Sequence, residues 1–101
     1  MASRLELQAK LETLLGSRNV YYQPPESLKM EYPAIRYSKS DISSRHANNT
    51  KYSNNTRYEI IVIDKKPDND VIQKILELPL SSYERHYTAD NLNHDVINLY
   101  F

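Results

Sequence analysis

The stretch Tyr58 to Leu78 leaves this chain few ways to fold. It opens with Tyr58-Glu59-Ile60-Ile61-Val62-Ile63, the most β-prone run in the sequence. A strand apolar on both faces needs cover on both, which makes it central in its sheet. The chain turns at Asp64-Lys65-Lys66-Pro67 and continues with helical spacing from Asp68 to Leu78. Val71, Ile72, Ile75 and Leu76 fall at i, i+1, i+4 and i+5, one stripe that can lie on the strand. Asp68 is the expected cap of the first turn, Asp70 suits the positive end of the helix dipole, and Pro79 stops the helix. The expected core is therefore a strand with a helix packed on it.

The flanking segments fit around that unit. Ser3-Arg4-Leu5-Glu6 reads as a capping box, and Leu7, Leu11, Leu14 and Leu15 form the apolar stripe of a first helix. Gly16, the only glycine, is the expected left-handed residue after it. Asn19 to Tyr22 reads as a short strand ended by Pro24-Pro25. Tyr32 to Tyr37 reads as a second strand, with Ile35 and Tyr37 on one face and Ala34 and Arg36 on the other. Pro33 belongs at its start or on an edge. After the central unit, Ser82 to Thr88 alternates with Tyr83, Arg85 and Tyr87 on one face, Ala89 to Asn93 is a turn cluster, and His94 to Phe101 is a closing strand. The last two strands form a hairpin. The first of them should run parallel to the central strand if both lie in one sheet.

The order α-β-β-β-α-β-β defines an α+β fold: a mostly antiparallel sheet with two helices packed on one face, in a single domain spanning 1–101. Ser38 to Thr56 interrupts this pattern. It is rich in Ser and Asn, carries Lys39, Arg45, His46 and Lys51 against only Asp41, and has Ile42, Ala47 and Tyr52 as its apolar positions. A connection that long in a compact domain is usually functional or disordered. It reads as a long loop or a projecting hairpin arm. The arm is favoured because Tyr52 and the strand that follows offer something to pair with.

Composition narrows the function classes. A chain of 101 residues buries about 60–65% of its unfolded surface, enough for one core. Thirteen basic and thirteen acidic residues cancel, which argues against free-standing nucleic-acid binding and lowers the barrier to self-association. Without cysteine there is no disulfide framework, thiolate zinc site or cysteine nucleophile. No signal peptide or membrane span is expected, so synthesis in a cytoplasm is. Nine tyrosines against one phenylalanine and no tryptophan fit a protein that touches others, and equally a tyrosine-rich sheet surface.

Readings that assign chemistry are weak. His86 and His94 with Asp90 or Asp95 would make a metal site, but no HxH or HExxH spacing is present, and exposed strand-end polar residues explain them better. Ser81, Ser82, His86 and Asp90 supply the residue types of a nucleophile site without an elbow motif. Glu84 and Asp95 form a conceivable acid–base pair, for which a solvated surface is the plainer account. The sequons Asn48-Asn49-Thr50 and Asn54-Asn55-Thr56 belong to an Asn-rich loop. The basic loop with Tyr52 has the elements of a nucleic-acid contact, set against the neutral balance of the whole chain. The expectation is a protein with no catalytic residues, cofactor or metal. Its candidate contact residues are Arg45, His46, Lys51 and Tyr52 in the arm and Tyr83 and Tyr87 in the sheet.

Several stretches resemble the tail-terminator (tail-completion) proteins of the tailed-bacteriophage neck. They are Leu5-Glu6-Leu7-Gln8 with Leu14-Leu15-Gly16; Asn19-Val20-Tyr21-Tyr22-Gln23-Pro24-Pro25; Tyr32 to Tyr37; Tyr58 to Asp64 with Pro67-Asp68; and Leu78-Pro79 through Asp90-Asn91-Leu92-Asn93-His94-Asp95 to the end. Asp90–Asp95 and Gln23-Pro24-Pro25 are the most particular of these. The resemblance implies a structural virion protein, assembled in the host cytoplasm and working without an enzyme's machinery. It implies a hexameric ring of identical subunits that stops polymerisation of the tail tube protein and docks to a head-completion (stopper) protein. Genomic DNA passes through such a ring without sequence-specific binding, and no membrane is involved. Head–tail connector proteins of the neck have similar size and are the alternative within the same class.

Overall fold

The computed structural model describes residues 4–25, 29, 31–47, 50–66 and 68–101; for 41–47 and 50–55 the backbone alone is described. Helix α1 is Arg4–Leu15 and helix α2 is Asp70–Leu76. The strands are β1 Val20–Tyr22, β2 Ala34–Ala47, β3 Thr50–Asp64, β4 Ser81–Ala89 and β5 Leu92–Tyr100. They form one five-stranded sheet in the order β1-β2-β3-β5-β4. Pairing is antiparallel throughout except for β1, which runs parallel to β2. The α+β reading and its element order hold.

β3 is the central strand, hydrogen-bonded to β2 on one side and β5 on the other. Its two faces go to two different packings. Ile60 and Val62 join Leu7, Leu11, Val71 and Ile75 in the main core, with Ile35, Tyr37, Ile97 and Leu99 from the flanking strands. Both helices therefore cover the same face. Ile61 and Ile63 turn to the other face, where they pack with Val96 beneath Tyr32, Tyr87 and Leu92. β4 runs in the same direction as β3, as the crossover requires, but β5 lies between them.

Gly16 closes α1 at φ +80, where a side chain would be strained. The reading of Ser3 as the α1 cap falls outside the described residues. α2 is shorter than the spacing suggests, and its cap is Asn69, not Asp68. The Asn69 side chain accepts from the Val71 amide at 2.8 Å while its own amide donates to Asp64 Oδ2 at 2.7 Å. That second bond ties the cap to the end of β3 and selects Asn69 over its neighbour. At the far end the Glu77 amide donates to Gln73 O, so the helix is finished before Pro79.

The segment between β2 and β3 is an arm. Both strands run far past the rest of the sheet: β1 pairs β2 only at Ile35–Tyr37, and the β5 ladder on β3 begins at Arg57, with one further bond from the Phe101 amide to the Thr56 carbonyl. The molecule is accordingly 50 Å long but only 23 by 22 Å across.

Candidate subunit interface

Among the described residues, the surfaces that carry the predicted contact residues are the arm, the outer strand β4 and the sheet face without a helix. The arm is set at its root by a bulge. Lys39 pairs with Tyr58 and Asp41 with Arg57, leaving Ser40 as the extra residue, and its hydroxyl donates to the Arg57 carbonyl at 3.1 Å. A bulge bends a strand and increases its twist, so this is where the arm takes its direction. A second register shift separates Arg45, opposite Ser53, from His46, opposite Lys51, with Tyr52 as the extra residue. Arg45, His46, Lys51 and Tyr52 thus cluster near the arm tip by register; their side chains lie outside the described residues.

Tyr83 and Tyr87 are not on one face as strict alternation predicts. Tyr83 pairs with Ile97 and Arg85 with Val96, so Glu84 is bulged out of β4. The extra residue inverts the alternation. Tyr83 stands with Ile97 on the helix side, and its hydroxyl donates to the buried Asp95 carboxylate at 2.7 Å. That hydrogen bond raises the Tyr83 pKa, with burial and the carboxylate's charge acting the same way. Arg85 and Tyr87 stand on the helix-free side. There the Tyr87 ring stacks on His94 at 4.6 Å between centroids, with the Arg85 guanidinium 5.7 Å from the Tyr87 centroid.

The hairpin register separates the groups proposed for chemistry. His86 is opposite Asp95 and His94 opposite Tyr87, so the histidines occupy opposite faces of the hairpin and cannot share an ion. His86 Nε2 lies 3.2 Å from Asn93 Oδ1, and His94 Nδ1 lies 3.2 Å from the Leu92 carbonyl. The described residues contain no group of His, Asp and Glu placed to hold a metal. Glu84 accepts from Asn98 at 2.9 Å and pairs with Arg85, away from Asp95. Ser81 donates towards the Leu76 and Leu78 carbonyls and so finishes α2.

The tyrosines divide between the two roles that composition left open. Tyr37 and Tyr58 are buried in the main core, where Tyr22 lies 4.9 Å and Tyr58 5.9 Å from the Tyr37 ring. The Tyr37 hydroxyl donates to Gln8 Oε1, and Arg4 sits 4.5 Å over Tyr22. Burial pushes both phenols up, in Tyr37 against the opposing pull of Arg4. Tyr83 and Tyr100 remain exposed.

The sequence reading missed several surface features. On the helix-free face Arg57 Nη2 donates to Asn98 Oδ1 at 3.4 Å, and Asn98 donates to Glu84, giving a polar run across β3, β5 and β4. Leu80 is 62% exposed in a left-handed conformation at φ 64, fixed by the bond from the Tyr100 amide to its carbonyl. Nothing in a Pro-Leu-Ser sequence signals that conformation. The chain matches no protein-family model, and a search of curated proteins finds no match.

Proposed function

We propose that this chain is a structural subunit of a tailed-bacteriophage neck, six copies of which close into a ring that terminates the tail tube and joins the tail to the head. The resemblance set out above supports the family. The observation that carries the mechanical part is the arm: a two-stranded ribbon reaching well beyond the body that packs the core. An isolated two-stranded hairpin is marginally stable in water, so a ribbon of that length is built to lie against something else. The partners are other copies of this chain, the tail tube protein and the head-completion protein. DNA passes through the ring without being read, and the protein carries out no reaction.

The test is to replace Asp41–Asn54 by an Asn-Gly turn and measure solution mass across a concentration series, together with capping of tail tubes. The intact chain should sediment as a hexamer and stop tube growth. The shortened chain should remain folded, be monomeric and leave tubes uncapped. Normal assembly and capping without the arm would overturn the assignment. DNA titrations at two salt concentrations distinguish the other class of function, because phosphate binding weakens steeply with salt. Tight, salt-sensitive binding would make this a nucleic-acid module instead.

A further inference from the structure

We propose that neighbouring copies pair arm to arm, the outer edge of Asp41–Arg45 in β2 of one copy taking Ser53–Asn55 in β3 of the next as an antiparallel strand, so that the arms close into a continuous β-collar. The proposal rests on the ring reading above and says how the ring is sealed.

The body of the sheet cannot supply this contact through its edges. On one side β1 is only three residues long, Gln23 then turns left-handed at φ 43, and Pro24-Pro25 offers no amide hydrogen. On the other side β4 is interrupted by the bulge at Glu84 and carries Glu84, Arg85 and His86 in succession. Short strands, bulges and charges are the devices that blunt sheet edges against pairing.

The arm is different. Beyond Tyr37, β2 has no partner on its outer side among the described residues, and before Thr56, whose carbonyl accepts from the Phe101 amide at 3.0 Å, neither does β3. Between the two register shifts the pairing of Asp41–Arg45 with Ser53–Arg57 is unbroken, so β2 presents a regular outer window at Asp41–Arg45 and β3 one at Ser53–Asn55. The windows face outward on opposite sides of one ribbon and run antiparallel to each other. Placing copies side by side with arms pointing the same way brings the β2 window of one beside the β3 window of the next, again antiparallel. The step repeats from copy to copy and leaves no free edge once the ring closes. Ser53-Asn54-Asn55 is uncharged, so the approach of Asp41 and Arg45 sets no like charges against each other. A two-fold pairing of β2 with β2 would leave every β3 window open, which is why the head-to-tail arrangement is preferred.

The absence of cysteine makes the test direct. Ser43 and Asn55 are register partners within a chain, so each cysteine must be carried by a different chain. Ser43→Cys protein and Asn55→Cys protein are mixed as dissociated subunits, allowed to assemble and oxidised; Ser53→Cys replaces Asn55→Cys to sample a register offset. Tyr21→Cys with Thr88→Cys reports on the body edges. The proposal expects a reducible band at twice the 11.9 kDa chain mass in an arm mixture and not in either arm protein alone. A ring of normal mass whose only cross-link joins Tyr21→Cys to Thr88→Cys would overturn the collar and leave the ring reading standing. Cross-linking of Ser43→Cys to itself would replace it by two-fold pairing. A monomer at every concentration with no cross-link would overturn both readings.

Discussion

Asn69 and Asp68 stand side by side at the start of α2, and only one of them caps it. Because Asn69 both receives the Val71 amide and donates to Asp64, Asn69→Ala should destabilise the protein by about 1 kcal/mol, while Asp68→Ala changes little. Chemical denaturation of the two variants checks this. A second residue-level expectation concerns the phenols. Tyr37, Tyr58 and Tyr83 all hold their protons more tightly in the folded chain than the ordinary value of about 10. Their contribution is therefore fully present below that value and is lost as pH rises through the folded pKa values. The phenols' share of the stability should hold up to the ordinary phenol range and fall above it, read as a loss of stability on the alkaline side. Tyr83→Phe should make the alkaline fall shallower, since the hydrogen bond to Asp95 is the principal cause of its shift.

Helix α2 illustrates how little of a small element's stability is its own. A seven-residue helix is far too short to persist alone, and packing of Val71 and Ile75 on β3 holds it in place. Ile75 is fully buried, so Ile75→Ala should cost about 2–5 kcal/mol, read as a lower denaturant midpoint with an unchanged slope. Hairpin β4–β5 shows the opposite balance, because its turn is locally specified. Asp90 and Asn91 both take left-handed backbone at φ 53 and 63, in a two-residue loop between Ala89 and Leu92. Asn91→Gly should be neutral or slightly stabilising, whereas Asn91→Val should destabilise, because a β-branched residue fits that conformation poorly.

At the level of the molecule, the sheet has two unlike ends. One end is packed between two helices and a small second cluster; the other is the β2–β3 ribbon. Core substitutions should therefore change stability, and arm substitutions should change assembly while leaving the unfolding midpoint of the monomer nearly fixed. Separating the two by measuring solution mass and denaturation on the same variants tests this division. It follows from the placement of the core: among the residues whose side chains are described, the buried ones lie in the helices and in the body of the sheet.

The sequence by itself determined the order of elements, the central place of β3 and the helix stripes, because periodicity and β-branched composition report directly on which faces are buried. It also located Gly16 and the Ala89–Asn93 turn, where backbone conformation restricts residue type. It pointed to the long polar segment as the unusual part and left open whether that segment was a loop. Only the tertiary structure decided that it pairs as an arm, that Asn69 caps α2, and that the bulge at Glu84 sends Tyr83 to one face and Tyr87 to the other. Those outcomes depend on register and on partners distant in sequence, and a one-residue offset reverses every side chain beyond it.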